Sequence, residues 1–274
     1  MLTDAHCHPF DLAHVFPDAP EERQRLGVLC AASACTLKEF LYNEDLAQKA
    51  CQEKTGEIFP CFAVHPQLPS VKIHRENETE NGLKHNLEAD LMATENLAAC
   101  GRLAAVGETG FDLYNATFRE TESVQDWLFA AHLETALRHD LPVIIHTRRA
   151  MHKIFAAAKT LAKCKAVIFH SWPGTIDEGH TILRRGINAY FSFGAVIMLN
   201  HLKAMRCAAL FPHDRLLVET DAPFQPPKDR AFSSWADLPY ILETAASLRR
   251  DAGSPCANAG ELEARIEANF RAIF

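Results

Sequence analysis

Eight short, nearly unbroken apolar runs recur along the chain, with helix-like stretches between them. They fall near 2–6, 27–32, 58–64, 103–107, 142–146, 166–170, 187–193 and 215–219, and each gives way to a polar, Gly or Pro turn. A strand with one wet face would alternate apolar and polar residues. A continuous run instead needs cover on both faces, as in a parallel sheet wrapped by helices. The stretches 36–54, 86–100, 117–140, 149–163, 175–185, 196–210 and 235–250 supply that cover, and a weak helix near 19–25 completes the first unit. Within 117–140, Val124, Trp127, Leu128 and Ala131 recur at helical spacing. Eight βα units in 274 residues predict an α/β fold, a single (β/α)8 TIM barrel. The alternation never breaks, so residues 1–274 read as one domain. Two longer connections are expected as loops: the polar stretch 69–85, and 222–234 with its three prolines.

An apolar fraction of 48% is enough for one large core. No apolar run reaches membrane-spanning length, and the first twenty residues lack the pattern of a secretory signal. The nine cysteines are scattered without a C-x-x-C pair and read as reduced core thiols, which places the chain in the cytoplasm. A net charge of -7 argues against a broad basic surface for duplex nucleic acid. It leaves room for a nuclease, because bound cations bring positive charge to the place where a phosphate must sit.

Six metal-ligand-type side chains stand at or just past the C-terminal ends of these runs: His6 and His8, Glu108, His146, His170 and Asp221. Parallel barrels place their active sites at that end. Singly, each has a plain alternative: a satisfied structural histidine, a turn carboxylate, a polar edge strand. Five strand ends that all bear good ligands are hard to ascribe to chance. Four histidines and two carboxylates suffice for two divalent metals with positions open to water, the chemistry of hydrolysis at phosphorus or a carbonyl.

Asp4 shares the period-two face of His6 and His8 and is expected to orient an imidazole. Glu108, between Gly107 and Thr109-Gly110, has two oxygens with which to bridge two cations, and the small neighbours are expected to let the backbone approach the metals. Asp221 is the candidate to position and deprotonate a water. Glu219, two residues earlier, reads as structural. His65 and Arg148 lie on the rim as candidate substrate contacts, with a satisfied histidine and a surface ion pair as the bland alternatives. Asp112 is a rim contact or a helix cap. The other histidines (14, 74, 85, 132, 139, 152, 180, 201, 213) read as surface residues.

These motifs resemble the TatD family of metal-dependent deoxyribonucleases, within the amidohydrolase-like barrels. The matches are Asp4-Ala-His6-Cys-His8, Val64-His65-Pro66, Gly107-Glu108-Thr-Gly110-Phe-Asp112, Pro142-Val-Ile-Ile-His146-Thr-Arg148, His170-Ser-Trp-Pro-Gly174, Glu219-Thr220-Asp221-Ala222-Pro223 and Asn269-Phe270, in the family's order over the whole chain. The resemblance implies two divalent metals, often Mg2+ or Zn2+ (Mn2+ is a third choice), and hydrolysis of DNA phosphodiesters. It implies that His6, His8, Glu108 and Asp221 hold one metal and Glu108, His146 and His170 the second, with His65 and Arg148 contacting substrate. The chain departs from the family pattern at Pro9, at Ser171-Trp172-Pro173 and over 224–230, so the ligands persist while the expected pocket walls differ.

The sequence therefore predicts a metal-dependent exonuclease acting on DNA ends, with single strands favoured by the acidic charge. Two rivals use the same residues: a deacylase, lactonase or amidohydrolase acting on a carbonyl, and a non-catalytic metal-binding barrel. Barrels of the carbonyl branch often bridge their metals with a carboxylated lysine. Strand four ends in Glu108 with no lysine, which favours the nuclease. No membrane or protein partner is implied.

Overall fold

The computed structural model describes residues 1–75 and 80–274. Eight strands form one sheet in sequence order: β1 (Thr3–Cys7), β2 (Leu29–Ala34), β3 (Ile58–Phe62), β4 (Ala105–Asp112), β5 (Val143–Arg148), β6 (Val167–Phe169), β7 (Ala189–Phe193) and β8 (Leu216–Val218). Every neighbouring pair from β1·β2 to β7·β8 is parallel. The sheet curls until its edges meet. Just past the strand ends the His8 N–H donates to Ala222 O at 2.8 Å and the Asp221 N–H to His6 O at 3.0 Å. The result is the expected (β/α)8 barrel. Its strands are continuous in apolar character because both faces are covered, and β1, β2, β4, β7 and β8 are buried at every position.

Two irregularities matter for the site. The β1·β2 register pairs Asp4 with Cys30 but Cys7 with Ala32, and the β4·β5 register pairs Val106 with Val143 but Thr109 with Ile145. Each gap inserts one extra residue, a bulge that breaks the strict alternation of side chains. The bulges fall at Ala5-His6 and at Gly107-Glu108, where ligand-type side chains leave the strand. The glycines around Glu108 serve the approach of β4 to β5 rather than to a metal. A Cβ on Gly107 would lie 2.5 Å from Ile144 Cβ, and one on Gly110 would lie 2.1 Å from His146 O.

Several expectations are corrected. The polar stretch 69–85 is largely helical, as Leu68–Arg75 and the start of Glu80–Ala99, with 76–79 outside the described residues. Leu83, Leu87 and Leu91 recur at four-residue spacing and pack against Val64, Val124, Trp127 and Leu128, a small core apart from the main one. The expected helix 149–163 is two pieces, Met151–Ala156 and Ala158–Leu161. Helices Pro9–Val15 and Ala259–Arg271 were not anticipated. Pro9 explains itself as the first residue of its helix, where no backbone donor is needed. Cys7, Cys30, Cys61, Cys164 and Cys207 are buried thiols, but Cys51 and Cys100 are exposed.

His132 is not a surface residue: it is fully buried. Its helix, Glu122–Arg138, buries Gln125, Leu128, Phe129, His132, Leu133 and Ala136, a face rotated from the stripe read at 124, 127, 128 and 131. Val124 and Trp127 cover the small core, while Phe129, Leu133 and Ala136 join the main one. His132 lies between the two and is satisfied there by Val64 and Thr109. Among the described residues no helix is long and apolar enough to cross a membrane.

Candidate metal centre

The barrel brings all six ligand-type residues to one end, and each is buried to a relative exposure of 8% or less. Glu108 stands between two groups. Its Oε2 lies 3.3 Å from His6 Nε2 and 3.6 Å from His8 Nε2. Its Oε1 lies 2.7 Å from His146 Nδ1, 3.0 Å from His170 Nε2 and 3.4 Å from His65 Nε2. Asp221 completes the first group, with Oδ1 at 3.4 Å from His6 Nε2 and 3.5 Å from His8 Nε2. The two imidazoles of that group point at each other, Nε2 to Nε2 at 3.1 Å.

For three of the four rings, what lies behind assigns the inward nitrogen. Ser33 Oγ lies 3.1 Å from His6 Nδ1 and can accept a hydrogen bond from its N–H, leaving an Nε2 lone pair aimed at Glu108 and Asp221. His146 Nε2 is 3.2 Å from Asp112 Oδ2, leaving the Nδ1 lone pair toward Glu108. His170 Nδ1 is 3.3 Å from Glu219 Oε1, leaving Nε2. A carboxylate or hydroxyl behind a ligating imidazole is the usual way to fix its tautomer. Lone pairs converging on carboxylate oxygens repel one another unless a cation sits among them, so this donor set fits a metal.

His65 is the reverse case. The Gln67 N–H donates to its Nδ1 at 3.2 Å, which puts the proton on Nε2 and makes the inward nitrogen a donor. Its position beside Glu108 and His146 is ligand-like in distance alone. Burial lowers its pKa despite the neighbouring Glu108 charge, which keeps the ring neutral. A neutral ring with an inward N–H suits a substrate oxygen, not a cation.

With protons in place of cations, the cluster settles its charge by mutual pairing. Burial would raise Glu108, but the charges of His170 and His6 and the bond from His146 hold it well below the usual carboxylate range. Burial likewise opposes ionisation of Asp221, and the bonds from His6 and His8 overcome it, so it stays ionised. Burial and the His170 charge would lower His6; Glu108 and Asp221 outweigh them and raise it to about 9. These are the signatures of a site organised for concentrated positive charge.

The remaining sequence candidates fall out as follows. Asp4 does not touch an imidazole. Its Oδ1 accepts the His6 N–H at 3.2 Å and the Thr220 N–H at 2.9 Å, and its Oδ2 accepts the Thr220 hydroxyl at 2.6 Å, so it joins β1 to the end of β8 and fixes the His6 backbone. Asp112 is neither a rim contact nor a helix cap but a fully buried carboxylate, shared by His146, Gln67 Nε2 at 2.7 Å and Arg148 Nη1 at 3.5 Å. Arg148 is half exposed at the mouth. Trp172 does not line the pocket. It is buried among Phe169, Phe191 and Phe211, where Gly174 makes room for its ring. Two supporting residues escaped the sequence reading. One is Ser33. The other is Gln225, whose Nε2 donates to Asp221 Oδ2 at 2.6 Å while its Oε1 accepts from Ser171 Oγ at 3.0 Å.

Fold and site together define a metal-dependent hydrolase barrel. The chain belongs to the TatD-related DNase family, whose model matches residues 3–274. It is 29% identical over 236 residues to the uncharacterized metal-dependent hydrolase YcfH of Escherichia coli K12, covering 83% of this chain and 79% of that protein. It is 34% identical over 185 residues to the 3'-5' ssDNA/RNA exonuclease TatD of Erwinia tasmaniensis, covering 65% and 68% of the two chains. The crystal structure of YjjV, a TatD homolog from Escherichia coli K12, superposes with a TM-score of 0.78 at 23% identity, covering 100% of this chain and 97% of that one.

Proposed function

We propose that this chain is a metal-dependent phosphodiesterase that removes nucleotides from the ends of DNA, with single strands as its natural substrate. The observation that carries this is the split of Glu108, whose Oε2 faces His6 and His8, the pair that Asp221 also faces, while its Oε1 faces His146 and His170. A carboxylate so divided would serve two cations, one through each oxygen. The exonuclease name carried by the relative from Erwinia tasmaniensis supports the substrate. On this reading residues 1–274 act as one cytoplasmic domain.

In this assignment the ligands are His6, His8, Glu108, His146, His170 and Asp221, and the ions are Mg2+, Mn2+ or Zn2+. When bound, they supply a lowered pKa to water and positive charge to offset that of the phosphate. Asp221 is ionised, with its Oδ2 held by Gln225 and its Oδ1 turned to His6 and His8, and would take the proton of the attacking water. The His65 Nε2–H donates to a phosphate oxygen, and the Arg148 guanidinium takes part of the phosphate charge.

The test is digestion of end-labelled single-stranded DNA with Mg2+ or Mn2+, beside EDTA and the Asp221→Asn variant. Stepwise shortening that both controls abolish is expected, and the label position gives the polarity. No shortening by protein shown to carry metal overturns the proposal and directs the search to esters and lactones.

A further inference from the structure

Two exposed aromatic rings stand at the barrel mouth, on opposite sides of the candidate metal centre. Phe224 follows β8 and Tyr114 follows β4, and in an eight-stranded barrel these strands are diametrically placed. The rings are 49% and 45% exposed. Single exposed aromatics are ordinary on protein surfaces. These two differ in being rigidly presented and in what they touch.

The Phe224 ring meets His8 edge to face, with centroids 5.2 Å apart. Its backbone is clamped on both sides. Ser233 donates through its hydroxyl to Phe224 O and through its N–H to Pro223 O at 3.1 Å, while Gln225 is tied to Asp221 and Ser171. A half-exposed ring fixed beside the centre can serve as a stacking platform. Tyr114 is fixed as firmly: its N–H donates to Asp112 Oδ1 at 2.9 Å and its O accepts from Arg149 Nη1 at 3.0 Å. Both neighbouring guanidinium groups lie over its ring, Arg148 at 4.1 Å and Arg149 at 4.5 Å from the centroid. Arg148 shares the Asp112 carboxylate, whereas Arg149 has no carboxylate partner among the described residues. In a chain of net charge -7, two guanidinium groups gathered on one ring concentrate positive charge beside the cluster of carboxylates.

We propose that Phe224 and the Arg149–Tyr114 pair are the two ends of a nucleotide grip: Phe224 stacks on the terminal base, and Arg149, braced on Tyr114, takes the phosphate next to the one being cleaved. This deepens the phosphodiesterase reading and rests on it for the position of the scissile bond. It makes the preferred substrate a strand of at least two linkages rather than a mononucleotide diester. A stacked base contributes enough to change affinity by about tenfold, independent of sequence.

The experiment measures binding, so it does not depend on turnover. Fluorescein-labelled single-stranded octamers with phosphorothioate linkages are titrated by anisotropy against Mn2+-loaded protein. One octamer carries all its bases. A second has abasic residues at both ends, and a third has uncharged methylphosphonates at the second linkage from each end. Wild type is expected to bind the first about tenfold more tightly than either other. Phe224→Ala should abolish the preference for terminal bases and keep the preference for the charged linkage, and Phe224→Trp should keep both. Arg149→Ala should abolish the charge preference alone. Preferences in the variants equal to those of wild type, or no preference in wild type, overturn the grip. Hydrolysis of bis(p-nitrophenyl) phosphate and of the unmodified octamer is followed separately. Selective binding without hydrolysis of either would leave the grip standing and sink the phosphodiesterase reading.

Discussion

Glu219 stands directly behind His170, its Oε1 3.3 Å from the ring Nδ1 while the same oxygen accepts the Ser171 N–H at 2.7 Å. The carboxylate is fully buried, so it acts on the centre through the imidazole rather than on a substrate. Glu219→Gln keeps the shape and an acceptor for Ser171 but removes the charge that holds the His170 tautomer. Metal affinity, measured by calorimetry, is expected to fall about 10- to 100-fold with the fold intact by circular dichroism. An affinity within twofold of wild type would show that the pairing is incidental.

Ser33 does the same for His6 from the neighbouring strand, at 3.1 Å from Nδ1. Ser33→Ala leaves a buried ring nitrogen without a partner and frees the ring to adopt either tautomer. Titration with Mn2+ should show one of two binding steps weakened about tenfold, because the His146–His170 side of Glu108 does not use this contact. Equal weakening of both steps would mean that the two halves do not load separately.

Gln225 is a positioning residue for Asp221, with the 2.6 Å bond to Oδ2 leaving Oδ1 turned to His6 and His8. Removing it in Gln225→Ala costs on the order of 1 kcal/mol, a fall in kcat of about fivefold. Because the bond positions the carboxylate rather than the substrate, KM should stay within about twofold of wild type while kcat falls. A rise in KM with kcat unchanged would show that Gln225 does not act through Asp221.

The barrel and the gathering of six ligand-type side chains at one end were legible because the signal is local: each of those side chains ends a run of residues that reads as a covered strand. The supporting residues were not, because their partners are distant in sequence. Ser33 sits in Leu-Cys-Ala-Ala-Ser-Ala, which reads as plain core, and meets His6 only when β1 and β2 pair. Gln225 sits in a proline-rich loop whose path the sequence does not specify. Asp4 was given the right importance and the wrong partner, because period-two reasoning put it beside an imidazole, whereas the β1 bulge and the seam with β8 put it on Thr220. The stretch 69–85 looked like a loop because its polar content hid Leu83, Leu87 and Leu91, which needed only the small core around Val64.

His132 offers the cleanest pH test of the fold, since it lies outside the metal centre. The Val64 N–H donates to its Nε2 at 3.2 Å, so Nδ1 carries the proton and donates to Thr109 Oγ1 at 2.7 Å. Burial, with no acid nearby to offset it, pushes its pKa down from 6.5 to about 3. The folded ring therefore stays neutral while the unfolded chain takes up a proton below pH 6.5. Its contribution to stability is complete above 6.5 and is lost as pH falls from there toward 3, at about 1.4 kcal/mol per unit. Between pH 7.5 and 5.0 this amounts to about 2 kcal/mol. His132→Gln can keep both hydrogen bonds but cannot titrate. Urea denaturation of both proteins in EDTA at the two pH values should show wild type losing about 2 kcal/mol more than the variant, the metal-centre histidines contributing equally to each. Equal losses in the two proteins would mean that the buried ring takes up a proton in the folded state.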